Sequence, residues 1–121
     1  MTELKLKVGG WDDFIASATA AAKRLDKGDW TPQPATYSFE TMAQLLRLLT
    51  ANRWTLLETL RPLGPVSVRA LAKALGRDYR GVHADTMALI EAGLVERDET
   101  MKIFVPWSRI TADISFELAA A

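Results

Sequence analysis

The chain has 121 residues, 49% hydrophobic and 25% charged, with 15 basic and 15 acidic side chains, one histidine and no cysteine. That length suits one domain with a real core, and that composition excludes a disordered or low-complexity chain. Zero net charge excludes a uniformly basic nucleic-acid binder, and the lack of thiols excludes disulfides and thiolate metal sites and fits a reducing compartment. No apolar run approaches the ~18 residues of a membrane span. "MTELKLKVGGWDD" also lacks the apolar core of a secretory signal, so a cytoplasmic protein away from the membrane is expected.

The opening "LKLKV" alternates Leu4, Leu6 and Val8 with Lys5 and Lys7, the period-two pattern of a half-buried strand. After Gly9 and Gly10 the apolar residues Phe14, Ile15, Ala18, Ala21, Ala22 and Leu25 recur at spacings of three and four. This predicts a helix from Trp11 that ends at Gly28. Pro32 and Pro34 in "DWTPQPATYS" predict a loop. A second helix is expected after Ser38 as N-cap, through "FETMAQLLRLL", burying Phe39, Met42, Leu45, Leu46 and Leu49 to varying degrees. Thr50 caps a third, "NRWTLLETLRPL", expected to end near Arg61 because Pro62 disfavours helical geometry before it. "PVS" is a short extended link.

Ser67 is a good N-cap for a fourth helix, "VRALAKAL", and Gly76 stands where a left-handed C-terminal residue is wanted. A fifth helix is predicted from near Asp78 to Gly93. "LVERDETMKIFVP" then gives two short strands around a turn at Asp98 to Thr100, and "ITADISFEL" gives a last alternating strand. The "GRD" between the fourth and fifth helices forces a steep crossing. Small residues suit that crossing: Ala72, Gly76 four residues later, and Val82 ten after Ala72, with Leu71, Leu75 and Leu89 around them.

On a helical wheel of about 100° per residue, Val82, Thr86 and Leu89 share the inner side of the fifth helix. Arg77, Arg80, Ala84, Met87 and Ala88 fall on or near the outer side, which is slim and basic at its start. The ~12 Å major groove of DNA admits a helix only with such a face. Residues 50 to 80 hold six basic side chains against two acidic ones, and residues 91 to 121 reverse the balance. A neutral chain can in this way present a positive face to phosphate, although solvated helix faces would give the same counts.

Residues 51 to 106, from "ANRWTLLETL" through "ALGRDYRGVHADTMALIEAGLVERDETMKIFVP", resemble a winged helix-turn-helix of the MarR and ArsR kind. More closely, "SVRALAKALGRDYRGVHADTMALIEAGLVER" with "SFETMAQLLRLLTANRWTLLETL" is similar to a family of small predicted transcriptional regulators of bacteria and archaea, often described as antitoxin-like. The resemblance covers roughly residues 36 to 117. It implies a mainly helical α+β winged helix-turn-helix with a β wing, expected with its C-terminal strand over residues 36 to 121. The strand and helix read from the patterning of residues 1 to 35 are expected to serve packing or dimerisation, since "LKLKV" and "ITADISFEL" have sheet patterning and open edges that need partners. The resemblance also implies a dimeric DNA-binding repressor with Asp78 to Gly93 as recognition helix and Val95 to Val105 as wing. The wing tip carries Arg97 and Lys102 among Glu96, Asp98 and Glu99.

Candidate DNA contacts are Arg77, Arg80, His83, Ala84 and Met87 at the recognition helix, with Tyr79 offering either its hydroxyl to phosphate or a half-buried packing role. Ser67, Arg69 and Lys73 at the fourth helix, Arg53 at the third, and Arg97 and Lys102 in the wing complete the set. A lone histidine forms no metal site, so His83 is read as a backbone or base contact or as a ring packed on the body. Trp11, Trp30, Trp54 and Trp107 are read as anchors of core edges or of a dimer interface. No acid pair, phosphate loop, nucleophile elbow or dinucleotide fingerprint occurs, so neither enzyme activity nor a cofactor or metal is expected. Expected partners are double-stranded DNA and a second copy of the chain. An antitoxin or other protein-interaction module holding a toxin is the alternative from a different class, and a repressor sensing a small molecule is a third.

Overall fold

The computed structural model describes residues 2–31 and 35–114 and is a mixed α+β structure. It divides into two units, one running from Leu46 to Trp107 and the other formed by the segments before and after it.

The flanking unit is built on β1 (Thr2–Val8), the middle strand of a three-stranded sheet of order β2-β1-β5. Strand β2 (Ala35–Phe39) lies parallel to β1, with Leu4 opposite Ala35, Leu6 opposite Tyr37 and Val8 opposite Phe39. Parallel neighbours need a long crossover, and α1 (Trp11–Asp26) supplies it. The expected loop is therefore corrected over Ala35–Phe39. The prolines precede the strand rather than interrupt it, and Thr36, Tyr37 and Phe39 are residues that suit a pleated surface. Leu4, Leu6 and Phe39 are buried. Helix α1 ends where expected, with Gly28 at φ 80° and its amide donating to the Leu25 carbonyl.

Helix α2 (Met42–Leu48) starts later than expected because Phe39 is the last residue of a strand. The Thr41 hydroxyl, not that of Ser38, accepts from the Gln44 amide, and the Gln44 side chain accepts in return from the Glu40 amide. This is close to a capping box. Leu45 is buried, whereas Leu46 is 56% exposed, contrary to its expected burial. Strand β5 (Trp107–Asp113) begins ahead of the expected "ITADISFEL"; the part of that stretch from Ser115 onward lies outside the described residues.

In the central unit α3 (Ala51–Leu63) is capped by Thr50 and buries Leu56, Leu57 and Leu60. It runs through Pro62 to Leu63 instead of stopping at Arg61. A proline in the last turn forfeits one hydrogen bond, and Gly64 at φ 72° then ends the helix. Helix α4 (Val68–Leu75) has the expected caps, Ser67 accepting from the Ala70 amide at 3.0 Å and Gly76 in the left-handed region. Helix α5 (Tyr79–Glu91) is capped by Asp78, which accepts from the Arg80 amide.

Three residues link α4 to α5, and Leu71, Ala72, Val82, Thr86 and Leu89 are all buried where these helices pack with α3. Strands β3 (Glu96–Arg97) and β4 (Ile103–Phe104) form an antiparallel hairpin. The link before α4 joins it, since Val66 and Ile103 exchange backbone hydrogen bonds of 3.1 and 2.7 Å. The indole of Trp107 donates to the Gly93 carbonyl at 2.9 Å within the central unit.

Ala72 is 4% exposed at this crossing, so Ala72→Leu should overpack it and lower stability by about 1–3 kcal/mol in a thermal melt. Thr86 is fully buried and its hydroxyl has no hydrogen-bond partner among the described residues. Thr86→Val should then raise stability by about 1 kcal/mol, because a methyl in the same volume removes the desolvation cost of that hydroxyl.

Candidate functional site

The outer surface of α5 divides into three stripes. Gly81, Asp85 and Ala88 lie on one flank; Tyr79, His83, Met87 and Ile90 lie on the other and line a groove beside the β3–β4 hairpin. Between them run Arg80, Ala84 and Glu91, all exposed. The middle stripe is slim, basic at its first turn and acidic at its last.

Asp85 organises the first flank. Its Oδ1 accepts from Arg53 Nε at 3.1 Å and its Oδ2 from Arg77 Nη2 at 2.9 Å. Arg53 also donates to the carbonyls of Arg47 (3.3 Å) and Leu48 (2.9 Å) in the last turn of α2. Gly81 makes room for this arrangement, since a Cβ there would stand 3.3 Å from Arg77 Nη2. The structure thus commits Arg53 and Arg77, two of the cations singled out from the sequence, to an internal clamp. Asp85 escaped the sequence reading because Arg53 is 32 residues away, and only the packing of α3 on α5 brings them together.

The second flank carries a different cluster. The Arg69 guanidinium stands 5.3 Å from the centre of the Tyr79 ring, and the Tyr79 and His83 rings are 5.7 Å apart and inclined by 34°. Such a cation–ring contact contributes roughly 0.5–1 kcal/mol and holds a long side chain in place. Tyr79 is 42% exposed and His83 is exposed, so neither ring is packed into the core. The groove they line has a volume of about 320 Å³ and reaches Ser67, Met87, Arg97 and Met101. Lys73 and Lys102 are exposed, Ala84 is exposed, and Met87 is half-buried.

The hairpin tip is held by Asp98, which accepts from the Thr100 hydroxyl at 2.7 Å and from the Thr100 and Lys102 amides. The Thr100 hydroxyl, then the Lys102 amide, hold the Asp98 carboxyl below its ordinary range. Met101 adopts φ 67° at this tip and is 62% exposed against the groove, a contributor that the sequence did not reveal. Among the described residues no three His, Cys, Asp or Glu side chains come together as a metal site would need.

A family profile, HVO_A0114, matches residues 48–112, more than half of the chain. The chain belongs to the HVO_A0114 family. The HVO_A0114 match takes in the whole of α3, α4, α5 and the hairpin, and so Arg53, Arg77 and Asp85 and the groove beside the hairpin. No curated protein and no solved structure matches the chain. No helix among the described residues is long and apolar enough to cross a membrane.

Removing the Asp85 carboxylate should leave two guanidinium groups, 20% and 28% exposed, without a counter-charge. Asp85→Ala is expected to cost about 1–3 kcal/mol in chemical denaturation. Asp85→Glu should recover part of that loss.

Proposed function

We propose that the protein is a sequence-specific double-stranded DNA-binding regulator of transcription, a cytoplasmic repressor of the winged helix-turn-helix kind acting as a homodimer. In this reading α4 positions the domain, α5 enters the major groove and the β3–β4 hairpin is the wing. The observation that carries it is the exposed stripe of α5, where Arg80 stands in the first turn, followed by the small Ala84. Side chains of that size let a helix sit deep in a groove ~12 Å wide, and an arginine at the start can reach guanine O6 and N7.

The surroundings supply the phosphate contacts. Ser67 and Arg69 stand at the start of α4, where backbone amides and a cation suit an anion. The Tyr79 ring holds Arg69 beside α5, and Lys73, Arg97 and Lys102 extend the positive surface. Arg53 and Arg77 act indirectly, by fixing α3 and the α4–α5 link to α5 through Asp85. A dimer would read two half-sites about one helical turn apart.

A second reading, a protein-interaction module such as an antitoxin holding a toxin, is favoured by Met87 and Met101 in the groove and by exposed Glu91, Glu96 and Glu99 around it. Either reading makes the protein a binder rather than an enzyme.

Binding to the DNA upstream of its own coding region, followed by fluorescence anisotropy at two salt concentrations, tests the first reading. Arg80→Ala should weaken binding by about 1–3 kcal/mol and erode discrimination between sequences. Arg69→Ala should weaken all sequences alike and flatten log K against log salt by about 0.9. Undiminished affinity and selectivity in Arg80→Ala would overturn the assignment of α5 as the reading element, and loss of a protein partner instead would favour the second reading.

A further inference from the structure

Helix α1 spends 16 residues on an amphipathic pattern and buries almost none of it. Trp11, Phe14, Ile15 and Leu25 are 72%, 55%, 44% and 46% exposed, and Ala18 and Ala22 are exposed as well. At about 100° per residue these six side chains occupy a single arc of roughly 100°. The half-buried residues of the helix, Ala21 and Arg24, lie at the edge of this arc and beyond it. Together with Phe14 and Ala18 of the arc they line an open groove of about 780 Å³ toward the sheet of the same unit, whose strands present Lys5, Lys7, Thr36 and Ser38 there. A polar sheet face gives the apolar arc no cover, and a lone helix of this length is marginal in water unless an apolar face is buried.

We propose that the apolar arc of α1 is the seat of a second copy of this chain, with the two α1 helices antiparallel and crossing at Ala18. The arc is symmetric about that residue. A reversed second helix sets Trp11 over Leu25 of the second copy, Phe14 over its Ala22, and Ala18 against its own equivalent, where two methyl groups allow close approach. The rings of Trp11 and Phe14 are already stacked, with centres 5.3 Å apart, as a ready apolar end for this contact.

Charge selects the direction. Asp12 lies in the first turn of α1, and Lys23 and Arg24 outnumber Asp26 in its last. The antiparallel arrangement brings Asp12 of each copy beside the basic turn of the other, whereas a parallel one sets like charges together. The surface is self-complementary, as a two-fold interface requires. It lies outside the residues of the DNA reading, supplies the dimer which that reading needs, and stands without it.

The chain has no cysteine, so single cysteines report the contact cleanly in the full-length protein. Light scattering should give a dimer for the wild type at micromolar concentration. Ala18→Cys should form a covalent dimer under mild oxidation with diamide, because residue 18 meets its equivalent within disulfide reach. Ala20→Cys, on the opposite side of α1, should not. Ile15→Glu should weaken self-association by roughly tenfold or more, since it places a charge in an apolar contact; Ala18→Cys keeps the test decisive if that variant does not fold. A monomeric wild type overturns the proposal. A dimer in which Ala18→Cys stays uncross-linked, or cross-links no faster than Ala20→Cys, overturns it too. None of these measurements involves DNA, so failure here and failure of DNA binding are separate results.

Discussion

Asp85 holds the central unit in register. Its two oxygens take one arginine from α3 and one from the link between α4 and α5, at 3.1 and 2.9 Å. All three side chains are mostly shielded from water, where an ion pair is screened less than at the surface and loss of the shared partner strands both cations. Helices that otherwise meet only through nondirectional apolar packing gain one directional connection. That connection ties one flank of α5 to α3 and to the α4–α5 link.

The clamp also changes what the charge distribution means. Of the six basic residues between 50 and 80, Arg53 and Arg77 are consumed internally. Arg69 is held against Tyr79, and Arg80 and Lys73 are exposed. The positive surface is smaller than the count suggests, yet it is better ordered. One cation, Arg69, is held at the start of α4 by an aromatic ring, and another, Arg80, stands exposed in the first turn of α5.

The flanking unit follows a different logic. Its parallel β1–β2 pair, joined by a helical crossover, would ordinarily bury the crossover helix on the sheet. Here the strands alternate Lys5 and Lys7 with Leu4 and Leu6, and only the leucines are buried. The sheet is one-sided, and the helix is left with an apolar arc of its own.

Much of the central unit was legible in the sequence because its signals are local. Ser67, Gly76 and Asp78 act on amides and dihedrals within three residues of themselves, so α4, the link and α5 could be placed residue by residue. The hairpin turn at Asp98 is equally local. Strand β2 was not legible, because a parallel strand is defined by a partner some thirty residues away and the prolines before it carry the stronger local signal. The start of α2 moved with it. The sequence by itself determined where α3, α4 and α5 begin, where α4 and α5 end and which of their faces is apolar, since periodicity and capping are properties of neighbouring residues. Tertiary structure alone decided which cations remain outward, which ring holds Arg69 and which apolar face stays uncovered. Those outcomes depend on charges and surfaces far apart in the chain that only packing brings together.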